Sequence, residues 1–259
     1  MFDIETVPDV EGGRRLLGAN ELDDAAVAKA MFQQRRQLTG GEFVRHHLQR
    51  VVAISVAFRR SDGHFSVHSL GNPDSGEADL IKRFYKGLER YSPTLVSWNG
   101  SGFDLPVLHY RALIHGVSAA RYWELGDEDR DFRYNNYLGR FHWRHTDLMD
   151  VLAGYQFRAA APLDEIALLL GLPGKLGMHG SRVWDEFRAG NIESIRNYCD
   201  TDVLNTYLVY LRFELMRGNL STDDFTRECE SVRTELANGA PHLLEFLSAW
   251  DRLEGATPP

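Results

Sequence analysis

The chain has little cysteine, no long apolar run and no basic excess. Cys199 and Cys229 are the two cysteines among 259 residues. They form neither a disulfide framework nor a thiolate metal set, so a reducing, cytoplasmic setting is expected. No apolar stretch approaches the ~18 residues of a membrane span. The first residues, Met1-Phe2-Asp3-Ile4-Glu5, are acidic, where a secretory leader would be basic. Lys and Arg number 29 against 37 Asp and Glu, a net charge of −8. That excludes a protein that coats nucleic acid through a basic excess. It does not exclude a nuclease, because a metal site gathers carboxylates and bound cations offset them. Internal repeats, low-complexity segments and a linker able to split the chain are also missing. With 43% hydrophobic residues, a single domain spanning 1–259 is expected, with a core that needs no disulfides.

What is present is an alternation of short apolar runs and helical patterns. Strands are expected at 1–6, 51–58, 64–70, 94–98 and 141–147. Residues 51–58 form a near-continuous apolar run rich in β-branched residues, and Ser61-Asp62-Gly63 marks a hairpin turn before 64–70. Residues 11–50 read as a polar helical insertion, and its charged faces suit plain solvent exposure. Helices are expected at 75–91, after Asp104, at 162–170 and at 192–217. The region 219–259 reads as C-terminal helices packed on the domain, with Gly255–Pro259 disordered.

Chemistry concentrates in three stretches. Asp3 and Glu5 alternate with Phe2 and Ile4, so on a strand the two carboxylates share one face. Asn99-Gly-Ser-Gly-Phe-Asp104 joins a strand to a helix and places Asp104 near the helix N-terminus, where a carboxylate is favoured. Asn197–Tyr207 is helical, so Tyr198 and Asp202 stack four apart on one face. Each alone has an ordinary reading: an exposed edge, a helix cap, a core hydrogen bond. Four carboxylates in these settings point instead to hard divalent cations, which prefer oxygen ligands and can hydrolyse phosphodiesters from two sites roughly 4 Å apart.

These three stretches, Phe2–Thr6, Asn99–Asp104 and Tyr198–Asp202, resemble the motifs of the DEDD 3′–5′ exonuclease superfamily. Tyrosine at 198 places the resemblance in the DEDDy branch. It is nearest to stand-alone bacterial 3′–5′ exonucleases related to the proofreading domain of family-B DNA polymerases, and it covers nearly the whole chain. The resemblance implies an α/β, ribonuclease H-like fold, a mixed five-stranded sheet flanked by helices. It implies Asp3, Glu5, Asp104 and Asp202 as ligands of two Mg²⁺ or Mn²⁺ ions, with Tyr198 orienting the attacking water. Lys175, in Lys-Leu-Gly-Met, resembles a lysine that faces the scissile phosphate, and equally fits a surface loop. The resemblance implies contact of the Thr6 backbone with the terminal nucleotide and of Asn99 with the substrate or the first-motif loop; Phe103 and Arg144 are further candidate substrate contacts. Residues 131–145 interleave arginines with aromatics, which suits a single-stranded end. The same residues suit strand core and surface arginines. Asp147 and Asp150 fit helix-capping or supporting roles. The expected partner is the 3′ end of single-stranded DNA. RNA trimming and a catalytically silent binding module are the alternatives, and intact carboxylates argue against the last.

Overall fold

The computed structural model describes residues 1–256, with side chains described through Leu253. Strand β1 (Phe2–Pro8) runs antiparallel to β2 (Gln49–Arg59), and β3 (Phe65–Ser69) follows β2 across a turn in which Gly63 takes φ 95°. Farther along the chain, β4 (Leu95–Ser97) and β5 (His145–Asp147) pair in parallel. Five strands form, as expected, but not as one five-stranded sheet. They make a three-stranded antiparallel sheet, order β1-β2-β3, and a two-stranded parallel one, β4-β5.

The reason lies at the seam. β1 lies against β4. The Ile4 N–H, free on the outer side of β1, donates to Asp104 Oδ1 at 3.1 Å. A side chain thus takes the acceptor position that a neighbouring strand would fill in a ladder. β5 is also shorter than the expected 141–147. The His142 N–H closes a turn onto the Gly139 carbonyl at 2.8 Å, so extended backbone begins only at His145.

Helices α1 (Val10–Leu17) and α2 (Asp24–Thr39) occupy the expected insertion. Asp9 and Asp23 cap their N-termini, and their apolar sides close over a small core of Val27, Met31 and Val44. Helices α3 (Glu77–Tyr91) and α4 (Asp104–His115) cover one sheet face, burying Phe2, Ile4 and Ile54 against Leu80, Phe84 and Leu108. Short helices α5 (Leu148–Leu152), α6 (Leu163–Leu169) and α7 (Val183–Arg188) precede the long α8 (Ile192–Met216) on the opposite face. Side chains alternate along β1, so Phe2 and Ile4 meet α3 and α4 while Asp3 and Glu5 meet α8. A register shift between Glu5 and Thr6 places one additional residue, Val52, on β2. Bulges of this kind re-aim neighbouring side chains.

Helices α9 (Thr222–Ala237) and α10 (Pro241–Ala256) pack against α8 through Val232, Leu236, Phe246 and Trp250. Ser221 and Asp224 form a capping box at the start of α9. Of the tail expected to be disordered, Gly255 and Ala256 fall within α10; residues 257–259 lie outside the described residues.

Phe246 is fully buried, whereas Leu169 is 82% exposed. Phe246→Ala is expected to cost about 3–5 kcal/mol in urea unfolding. Leu169→Ala is expected to stay within about 0.5 kcal/mol. Equal effects would show that α10 does not share the core.

Candidate active site

Helix α8 is packed by β1, β2, β3, α7, α9 and α10, so its polar residues are buried along with its apolar ones. Buried polar groups need partners. Thr201 Oγ1 donates to the Tyr198 carbonyl at 2.8 Å, and Thr206 Oγ1 to the Asp202 carbonyl at 3.0 Å. Asp200 accepts from Ser55 and Ser69 hydroxyls at 2.6 and 2.9 Å, and His242 Nε2 of α10 lies 3.1 Å away. Asp202 Oδ1 is different: it is buried with no hydrogen-bond partner.

The other carboxylates lie close enough to Asp202 for its charge to act on Asp3 and Glu5. Ligand atoms of Asp3, Glu5 and Cys199 all lie within 4.8 Å of one another. Cys199 Sγ sits 3.4 Å from both the Asp3 carbonyl and Asp3 Oδ2. Burial pushes the Asp3 and Glu5 carboxyls well above the usual range, and the charges of Asp104 and Asp202 push both further. Asp104 is raised to about 7, mainly by burial, although its own and the Ile4 backbone N–H oppose the rise. Asp202 is raised to about 6 by burial, against a hydrogen bond from Tyr198 and the charge of Lys175. The Tyr198 phenol is pushed up, first by burial and then by Asp202, Glu5 and Asp3. It therefore stays a proton donor at neutral pH. Burial likewise raises the Cys199 thiol, leaving oxygen as the main donor atom here.

Lys175 is the cation that faces this cluster. Its Nζ lies 5.9 Å from the centre of the Tyr198 ring, and its charge favours the ionised forms of Asp3, Glu5 and Asp202. Two residues that sequence reasoning missed hold its loop. Asn205, one turn after Asp202 on α8, donates to the Gly174 carbonyl at 2.8 Å and accepts from the Gly174 N–H at 3.2 Å. Asp164 of α6 accepts the Lys175 N–H at 2.7 Å. Spacing could have flagged Asn205, which lies three residues from Asp202 on a helix. No local pattern marks Asp164.

The turn before α4 is built by Asp147. Its carboxylate accepts the N–H groups of Asn99 and Ser101, both at 2.8 Å, and the Asp150 N–H at the start of α5. Asn99 adopts φ 63°, a left-handed conformation that asparagine tolerates. A Cβ at Gly100 would fall 2.2 Å from Ser97 Oγ, so only glycine fits there without movement. Phe103 caps α4, and its ring meets Phe43 and His46. Thr6 Oγ1 donates to Gln49 Oε1 at 3.0 Å at the β1–β2 bulge. Arg144 is not brought to the carboxylates. Its guanidinium lies 3.9 Å from the Phe132 ring centre and donates to the Asn135 carbonyl at 2.6 Å. Within the aromatic stretch, Phe132 and Tyr137 are core, whereas Tyr134, Phe141 and Trp143 are exposed.

The sequence is similar to those of known proteins. The DNA polymerase epsilon catalytic chain of Arabidopsis thaliana is 24% identical over 157 residues, 59% of this chain. The matched part is 7% of that far longer protein. A family model described as a predicted 3′–5′ exonuclease related to the exonuclease domain of PolB matches residues 41–250. That match takes in β2 through most of α10, including Asn99–Asp104, Lys175 and Tyr198–Asp202. The chain therefore belongs to the family of predicted 3′–5′ exonucleases related to the exonuclease domain of PolB.

Proposed function

We propose that the protein is a metal-dependent 3′–5′ exonuclease acting on the end of single-stranded DNA, with Asp3, Glu5, Asp104 and Asp202 as ligands of two Mg²⁺ or Mn²⁺ ions. The observation that carries this reading is a cluster of four carboxylates in which burial raises all four and the charges of Asp104 and Asp202 raise Asp3 and Glu5 further, with Lys175 as a facing cation. Such an array is costly in a folded protein unless cations complete it. The donor set fits hard divalent ions, and the orphaned Asp202 Oδ1 supplies a free ligand position. Strand order β3-β2-β1 with β4-β5 alongside supports the ribonuclease H-like layout, with Asp104 bridging the seam.

Held by Asp3, Glu5, Asp104 and Asp202, divalent ions would supply water activation and charge stabilisation at the scissile phosphate. The side chains divide the remaining work. Tyr198 keeps its proton, so it orients the attacking water through its hydroxyl and does not act as the base. Lys175 stands opposite, where its ammonium can meet a phosphate oxygen. Attack of water at phosphorus releases the preceding 3′-hydroxyl and a nucleoside monophosphate. Deoxy substrate is our reading by relationship to a DNA polymerase domain.

A ladder assay on 5′-labelled single-stranded DNA and RNA tests this directly. Asp3→Ala is expected to lower digestion about a thousandfold, the scale of several kcal/mol of metal assistance. A 3′-phosphate block is expected to stop digestion from that end. Degradation unaffected by Asp3→Ala would sink the site. Tyr198→Phe is expected to slow cleavage roughly a hundredfold, the scale of misplacing a reacting group. Mn²⁺ affinity by calorimetry should be unchanged, and its loss would make Tyr198 a structural support instead.

Melting should report the ions without any substrate. Asp202 and Asp104, raised to about 6 and about 7, bind protons more tightly when folded than when unfolded. Their contribution to stability is present below the ordinary carboxylate range and is lost as pH rises through those values. Mg²⁺ takes the ionised form, so its stabilisation grows over the same interval. Millimolar Mg²⁺ is expected to raise Tm more at about pH 8 than at about pH 5. The increment should vanish in Asp202→Asn. A shift independent of pH and of Asp202 would place the ions elsewhere.

A further inference from the structure

The insertion, whose sequence suits a plain charged surface, carries exposed aromatics beside the carboxylate site. Phe43 is 63% exposed, and its ring centre lies 5.3 Å from that of Phe103, the residue preceding Asp104. His46 also meets Phe103, at 5.7 Å. A second pair, His47 and Tyr110 of α4, follows at 5.8 Å, edge to face, with Tyr110 47% exposed. The face is therefore aromatic over several rings, and it continues directly from the turn that presents Asp104.

This surface is held in place. The Arg35 Nε of α2 donates to the Phe43 carbonyl at 2.9 Å, and Gln49 Nε2 donates to the Val44 carbonyl at 3.1 Å. Val44 is buried beneath, with Val27 and Met31. His46 Nε2 lies 2.9 Å from the Gly102 carbonyl, tying the segment to the turn before α4. An anchor on either side thus presents the Phe43 ring outward at little further loss of entropy. The charge is local as well. Residues 29–50 carry Lys29, Arg35, Arg36, Arg45 and Arg50 against Glu42 alone, in a chain of net charge −8.

We propose that Phe43, packed against Phe103 beside His46, extends the contact expected at Phe103 into a stacking platform for a base near the 3′ end of single-stranded nucleic acid, and that Arg45 contacts its backbone phosphate. This rests on the nuclease reading above. Exposed rings flanked by cations are the recurring means of holding single strands, because every base has a face to stack and every residue a phosphate. A base inside a duplex has both faces in its own stack and a terminal paired base only one face free, so the platform favours frayed or single-stranded ends.

Binding can be read without cleavage. Asp3→Ala protein is titrated by fluorescence anisotropy onto short DNA and RNA oligonucleotides carrying 2-aminopurine at the 3′ end. Adding Phe43→Ala is expected to weaken binding about tenfold or more and to relieve the 2-aminopurine quenching. Phe43→Trp is expected to restore both. Arg45→Gln is expected to reduce the salt dependence of binding by about one phosphate contact. Phe43 is exposed, so its replacement leaves the core intact, and circular dichroism checks this. If the parent protein binds and the wild type digests these oligonucleotides, unchanged affinity and quenching in Phe43→Ala overturn the platform alone. If neither polymer is bound or digested by the wild type, the platform and the nuclease reading fall together.

Discussion

The hydrogen bond from the Ile4 N–H to Asp104 Oδ1 is the contact on which the candidate site depends. It joins the first strand to the start of α4, roughly one hundred residues later in the chain, at the seam between two sheets. A backbone bond between β1 and β4 would have closed the sheet and left Asp104 free to turn away. The side-chain bond fixes Asp104 beside Asp3 and Glu5, and one oxygen remains for another partner. The same geometry raises the cost of charge. Lifting Asp104 from 3.8 to about 7 corresponds to roughly 4 kcal/mol against ionisation. That rise stands with the Ile4 and Asp104 backbone N–H groups already opposing it, so a further positive partner is needed to hold the charged form.

Helix α8 supplies the opposite wall, and its sequence records that duty. A helix packed on several sides would ordinarily be apolar all round. Here Tyr198, Asp200, Thr201, Asp202, Asn205 and Thr206 are all buried. Asp200 is absorbed by serines from two strands and a histidine from α10. The threonines bond within the helix, and Asn205 holds the Lys175 loop. These polar groups of α8 are thereby satisfied, whereas Asp202 Oδ1 in their midst has no hydrogen-bond partner.

Much of this was legible in the residues, for a physical reason. Asp3 and Glu5 are readable because strand alternation is strictly periodic, and Tyr198 and Asp202 because helical stacking is. The strands and most helices followed from the same periods. The sheet division was not legible, since it turns on one side chain replacing one carbonyl across the seam. Asp164 was hidden because its role is a contact between segments with no shared period. Arg144 reads as a surface cation among aromatics, yet Phe132 beneath it is core, and the guanidinium packs on that ring. Sequence gives the mixture of charge and ring but not which rings are buried.

The charge distribution follows the same logic at larger scale. A net charge of −8 repels a polyanion at long range, although salt screens this beyond about 8 Å. Productive approach then depends on short-range features, and these are arranged in order along one path. The basic, ring-bearing insertion comes first, then Phe103 at the cap of α4, then the carboxylates with Lys175 opposite. Phe43 and Phe103 come from segments some sixty residues apart, brought together by the His46 contact to Gly102. Stacking requires no particular base, whereas the carboxylates require cations before a phosphate can approach them. Under the proposed function, a general surface for the strand and a conditional site for its terminal bond suit trimming from an end, because each cut would present a new base in the same position.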